Sequence, residues 1–206
     1  MQLRFATGLT SEDYVSREAW REASLPRCPV HPRGGCGFAR HGTYERVRPR
    51  GARVPRWYCR KAHRTFSLLP DCLAARLSGT LTEVEAVVLA LEQGPGREAV
   101  AGRLRPAIEL PGALRWSRRR LVHVHAALTV LRGLMPEDFG ACTATVSAFR
   151  THLDLAPVLP ALRARAQLYL AELPTPLGFR SRLAIGGEHR HRFQHKTGPD
   201  PPPAAR

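Results

Sequence analysis

Cys28-Pro29-Val30-His31-Pro32-Arg33-Gly34-Gly35-Cys36-Gly37 and, further along, Cys59-Arg60-Lys61-Ala62-His63 bring three of five cysteines into one short region of a 206-residue chain. A structural metal takes four tetrahedral nitrogen or sulfur ligands, usually delivered as close groups from two separate turns. Five candidates compete here for four places. Cys28, Cys59 and His63 are joined either by Cys36 or by His31. Cys36 is favoured because Gly37 follows it, and glycine after a ligand lets backbone amides turn toward sulfur; His31 is its alternate. An odd number of cysteines, clustered like this, reads as a metal site rather than a disulfide framework. The expected ion is structural zinc. Cys72 and Cys142 fall in helical sequence and read as packed thiols, and His41, beside Gly42, reads as a hairpin-surface residue.

Between the two ligand groups the texture is β-prone. Residues 42–47 read as a strand, Arg48-Pro49-Arg50-Gly51 as a turn, 52–59 as a second strand and 64–68 as a third. On the amino-terminal side, 10–23 reads as a helix capped by Thr10 or Ser11, with acids in its first turn and Pro26 beyond its end. After Pro70 the chain turns helical. Thr82 and Glu85 have capping-box spacing, and Val84, Val87, Val88 and Leu91 then recur at helical intervals. Gly94-Pro95-Gly96 stops that helix, 97–104 forms a short second one, and Pro106 and Pro111 break the chain again. A longer helix over about 114–133 carries Leu114, Leu121, Val124, Leu128 and Leu131 on one stripe. Two more follow over about 143–153 and 160–173. The expected fold is mainly α with a small β zinc ribbon: a hairpin followed by a helical, helix-turn-helix-like bundle. Its divisions are an amino-terminal helix (1–26), the ribbon (27–70), a helical domain (71–179) with a helix-turn-helix-like segment at 82–133, and a disordered basic tail (180–206).

The run Cys28-Pro29, Arg40-His41-Gly42-Thr43-Tyr44-Glu45-Arg46, Val54-Pro55-Arg56-Trp57-Tyr58-Cys59-Arg60 and His63-Arg64-Thr65-Phe66-Ser67-Leu68-Leu69-Pro70 resembles the amino-terminal zinc ribbon of bacterial insertion-sequence transposases and their stand-alone relatives. That family shows a Cys-Pro-x-Cys knuckle, a Gly-x-Tyr-x-Arg strand, an aromatic-x-Cys-x-x-Cys knuckle, a Thr-Phe exit strand ending in proline, and then a helix-turn-helix. The resemblance covers about 27–133 and implies a DNA-recognition module of mobile-element origin. The chain departs from the pattern at the second ligand, which is His31 or a delayed Cys36, and at the fourth, which is His63 rather than a cysteine one position earlier.

Charge points the same way. Thirty-two basic against 17 acidic side chains give a formal charge of +15, and all but Lys61 and Lys196 of the basic residues are arginine. Such an excess favours polyanions, nucleic acid first. Arg46, Arg48, Arg50, Arg53, Arg56, Arg60, Lys61 and Arg64 lie on the ribbon, interleaved with Tyr44, Trp57 and Tyr58. Arg115, Arg118 and Arg119 open the long helix and project away from its leucine stripe, as the residues of a helix entering a DNA groove do. The expected partner is double-stranded DNA. RNA, or a protein docked on the helices of 143–179, is the alternative. The tail residues His189, Arg190, His191, Arg192, His195 and Lys196 would add non-specific phosphate contacts.

No run approaches the roughly 18 apolar residues of a membrane span, and 1–20 lacks the apolar core of a signal peptide. A cytoplasmic, nucleoid-associated protein is expected. The acids after the ribbon fall outside any nuclease-like alternation of strands and helices, no glycine-rich phosphate loop occurs, and four closed ligands leave a metal no open position. Catalysis is not expected.

Overall fold

The computed structural model describes residues 1–180. These form a four-stranded mixed sheet and seven helices. Three strands fall where the β-prone sequence placed them: β2 (Ala39–Glu45), β3 (Arg53–Cys59) and β4 (Arg64–Pro70). The fourth, β1 (Gln2–Phe5), was not expected; it pairs in parallel with β4, giving the order β1-β4-β3-β2. Four residues are too few to display a period of two, so only the exposed edge of β4 identifies β1 as a strand.

Strand alternation divides the core in two. Trp57 and Cys59 on β3 and Phe66 and Leu68 on β4 face one side, where they pack with Ala23, Cys28 and Cys36. Val54 and Leu69 face the other and join a larger cluster with Tyr14, Trp20, Leu81, Val88, Leu128 and Leu159. Burial on both faces is why β4 reads as a continuous apolar run rather than an alternating one. The boundaries drawn at 26/27 and 70/71 are crossed by this packing: β1 lies in the sheet, and Tyr14 and Trp20 sit in the cluster that the helices complete.

The first helix is shorter than the pattern implied. α1 (Ser11–Ser16) is capped by Thr10, whose hydroxyl accepts from the Asp13 amide; Glu18 then turns left-handed (φ 48°) and Ala19–Arg21 continue as a single 3-10 turn. α2 (Leu81–Gln93) carries a capping box, but from Thr80 and Glu83, two residues before the pair the spacing suggested. Glu85 is buried instead. α3 (Arg97–Leu104) matches its expected span. α4 (Leu110–Leu134) starts earlier than expected, because Pro111 lies in its first turn, where a missing N–H costs nothing, instead of breaking the chain. Its buried stripe is Ala113, Ser117, Arg120, Val124, Ala127, Leu128 and Leu131, with Leu114 and Leu121 half-buried beside it. α5 (Pro136–Phe139), α6 (Val146–Leu153) and α7 (Val158–Arg165) complete the bundle, followed by a 3-10 turn at Gln167–Tyr169. No helix among the described residues is long and apolar enough to cross a membrane.

α2 organises the helices through two carboxylates seven residues apart, hence on one face. Glu85 accepts from the amides of Val158 (2.9 Å) and Leu159 (2.8 Å) at the start of α7, with Arg150 ion-paired at 2.9 Å. Glu92 accepts from Val146 and Ser147 at the start of α6, both at 2.8 Å, and meets His125 at 2.8 Å. Each carboxylate satisfies amides that a helix start leaves orphaned and complements its dipole. Arg163, 1% exposed, closes the opposite end, donating to the carbonyls of Asp71, Leu73, Pro176 and Leu177. Burial lowers its pKa to about 10, so it stays charged at neutral pH.

Candidate metal centre and basic surface

The loop after Pro26 folds back on itself. Gly34 donates to the His31 carbonyl (3.0 Å), and Gly34 and Gly35 both take left-handed φ (84° and 69°), a reversal only glycine makes without strain. Cys36 is thereby returned beside Cys28. The next residue, Gly37, lies against Arg60, whose Cδ would be 3.2 Å from an added Cβ. That approach lets the Lys61 amide donate to the Cys36 carbonyl at 3.3 Å, tying the first loop to the β3–β4 turn. In that turn the Ala62 amide donates to Cys59 Sγ at 3.4 Å.

The outcome is a four-residue group. Donor atoms of Cys28, His31, Cys36 and Cys59 all lie within 4.8 Å of one another. His31 Nδ1 is 3.4 Å from Cys59 Sγ and 3.7 Å from Cys28 Sγ. A tetrahedral ion with metal–sulfur bonds of about 2.3 Å and a metal–nitrogen bond of about 2.0 Å requires sulfur–nitrogen edges of about 3.5 Å. The residues therefore fit a four-coordinate metal ion. The three thiols are buried and His31 is half-buried. Burial alone would raise the Cys28 pKa, but the His31 ring, the Val30 and His31 amides and the Cys59 thiol outweigh it and lower the value to about 6. Cys36 moves the other way, raised by burial and by the neighbouring Cys59 and Cys28 sulfurs. Metal ions bind thiolates, so binding of a cation at this group would release thiol protons.

Two expectations about the ligands need correction. His31 and Cys36 are not alternates; both belong to the group, and His63 does not. Position 62, where a two-residue spacing would place the second ligand of the turn, is alanine. One residue later the backbone has turned left-handed (φ 50°), leaving His63 exposed with Nδ1 3.2 Å from the Tyr58 hydroxyl. The first loop supplies three of the grouped donors and the hairpin one. Cys72 and Cys142 lie apart from the group: Cys142 is buried and Cys72 half-buried, its pKa raised to about 11 by burial. His41 is exposed and packs against the Tyr58 ring.

The basic residues divide into anchored and free. Arg46 reaches across to the carbonyls of Ala74 and Leu77, and Arg56, half-buried, lies over the Tyr44 ring. Arg40 donates to the carbonyls of Trp20 and Arg21 and covers Trp57. These three hold the hairpin in place. The side chains of Arg48, Arg50, Arg53, Arg60, Lys61 and Arg64 are exposed, and so are Arg115, Arg118 and Arg119 on successive turns of α4. The tail histidines and cations from His189 to Lys196 lie outside the described residues.

Three residues that sequence reasoning did not assign lie where α3 meets α4. The guanidiniums of Arg105 and Arg120 lie 5.0 and 3.9 Å from the Trp116 ring centroid. Arg120 is 7% exposed and donates to the carbonyls of Trp116 (3.4 Å) and Ser78 (3.1 Å). Burial first, then the charges of Arg105, Arg119 and Arg48, lowers its pKa to about 10, with Glu83 opposing. The charge of Arg48, on the hairpin turn, is thus felt by Arg120 on α4. The signal was Trp116 within an arginine run, four residues before Arg120 and so on the same helical face. No family model, curated protein or solved structure matches the chain.

Proposed function

We propose that the chain is a zinc-ribbon protein that binds double-stranded DNA, a recognition or accessory factor related to transposases and without a catalytic core of its own. Three thiols and an imidazole, with two sulfur–nitrogen separations near a tetrahedral edge, make a donor set suited to zinc. Four ligands close the coordination sphere, so the ion serves as a staple that fixes the loop of 27–37 onto the hairpin. The resemblance of the hairpin sequence to transposase ribbons supports the same reading. So does the sequence of α2, α3 and α4, three helices packed against one another in the manner of a helix-turn-helix unit.

The observation that carries the proposal is that the arginines facing solvent on the hairpin and on α4 have no hydrogen bond or ion pair within the protein among the described residues, while Arg40, Arg46 and Arg120 are used to position them. Free guanidiniums donate in a fork to phosphate oxygens or to the O6 and N7 of guanine. On α4, Arg115, Arg118 and Arg119 form a one-sided row that a major groove accommodates. The hairpin arginines would contact the flanking backbone, and counterion release would supply most of the affinity.

The test is binding of the zinc-loaded protein to duplex DNA, single strands and structured RNA across a salt series. Duplex DNA should be preferred, with affinity falling linearly on a log–log salt plot. Replacing Arg118 and Arg119 together by alanine should reduce that slope by about 2. Absence of duplex binding at low salt, or tighter binding of structured RNA, refutes the reading.

A further inference from the structure

We infer that the junction of α3 and α4 is a phosphate-binding site, in which Arg105 and Arg120, both held over Trp116, engage one phosphodiester of the DNA backbone while the charges of Arg48 and Arg119 add to its attraction. The inference rests on the DNA-binding reading for its natural ligand, but a phosphate group alone is enough to test it.

Two guanidiniums gathered on one indole are mutually repulsive, and a protein normally places a carboxylate between them. Among the described residues no carboxylate is hydrogen-bonded to either. Arg120 is committed to the backbone carbonyls of Trp116 and Ser78, which satisfy its donors but leave its charge uncompensated. The half-buried Arg105 side chain lies over the indole and has no hydrogen-bond acceptor or ion-pair partner among the described residues. Glu83, whose charge favours that of Arg120, is occupied by the capping box of α2, accepting from the Thr80 amide at 2.7 Å. Arg105 and Arg120 lie over the same indole, and the charges of Arg105, Arg119 and Arg48 all disfavour the charge on Arg120. A compact dianion or monoanion with several acceptor oxygens relieves that repulsion, and phosphate matches the fork of donors that arginine presents.

The site is also built to hold its shape. Arg120 is buried and pinned to Ser78, and Arg46 ties the hairpin to Ala74 and Leu77 in the same loop, so Arg48 is carried on a fixed strand turn. Arg105 ends α3, where its amide still donates to Ala101. A ligand meeting these groups would therefore bind with little reordering of side chains.

Inorganic phosphate is the probe. In the zinc-loaded protein, the indole N–H resonance of Trp116, assigned by Trp116→Phe, should shift and saturate with millimolar phosphate. Chloride at matched ionic strength should leave it in place. Arg105→Ala should abolish the shift, and Arg165→Ala, an exposed arginine on α7, should retain it. On duplex DNA, Arg105→Ala should weaken binding about tenfold and reduce the log–log salt slope by about 1. Phosphate binding without duplex binding leaves the site standing and refutes the DNA reading. Duplex binding with a flat phosphate titration, or with an unchanged slope in Arg105→Ala, refutes the site. Arg105→Lys, which keeps the charge and loses the fork, should recover the salt slope but only part of the phosphate shift; full loss of both in a variant with unchanged Tm refutes the site.

Discussion

Replacing His31 or His63 by alanine separates the observed Cys28–His31–Cys36–Cys59 group from the ligand set the spacing suggested. His31 offers its Nδ1 at 3.4 and 3.7 Å from two cysteine sulfurs, whereas His63 is exposed and meets only the Tyr58 hydroxyl at 3.2 Å. Loss of a group that merely orients a ligand costs 10–100-fold in metal affinity. Loss of a direct ligand should exceed the upper end, which is about 3 kcal/mol of the metal's contribution to folding. For a domain of this size that corresponds to a fall in Tm of about 6–12 °C for His31→Ala. His63→Ala removes one solvent-exposed contact, within about 0.5 kcal/mol, and should move Tm by less than about 2 °C. Metal content should be measured against increasing chelator, alongside calorimetry, with cobalt(II) substitution reporting tetrahedral geometry. The reasoning fails if His31→Ala holds its metal at chelator concentrations that strip His63→Ala.

Glu85→Gln should cost about 2–4 kcal/mol in urea denaturation, since the buried carboxylate serves two amides at the start of α7 and the Arg150 guanidinium, and a carboxamide can satisfy only one amide while presenting a donor to the other. Arg163→Met should destabilise by about 3–5 kcal/mol because the carbonyls of Asp71, Leu73 and Leu177 lose their buried donor; a loss below 1 kcal/mol would mean that other groups satisfy them. In metal-stripped protein, alkylation read by mass spectrometry should modify Cys28 increasingly as pH rises through about 6, where its thiolate forms, and Cys36 only under more alkaline conditions than an ordinary thiol requires; equal reactivity of the two contradicts the electrostatics of the group.

Much of the architecture was legible because it depends on local chemistry. Gly94-Pro95-Gly96, the 3.6-residue recurrence of Val84, Val87 and Val88, and the β-prone pieces flanking Arg48-Pro49-Arg50-Gly51 place helices and hairpin strands where they are found. Where local signals competed, neighbours decided. Thr80 and Thr82 both precede a glutamate by three residues, and Thr80 became the cap because Glu85 was drawn inward to the amides of α7. Pro111 reads equally well as a breaker or as a first-turn residue, and packing of α4 against α2 and α3 selected the second.

The amino-acid sequence by itself determined that sulfur and imidazole would gather near a basic hairpin and that helices would follow, since ligand type, charge and periodicity are properties of residues and their spacing. Which four of five ligands meet was decided only by tertiary structure. The glycines after His31 swing Cys36 back to Cys28 and the left-handed turn at His63 carries that imidazole away, and neither displacement can be computed from counting intervening residues. The same holds for the arginines: their number is written in the chain, but whether a guanidinium pins a carbonyl, as Arg46 and Arg163 do, or stands free, as Arg118 and Arg119 do, depends on which distant backbone comes within reach.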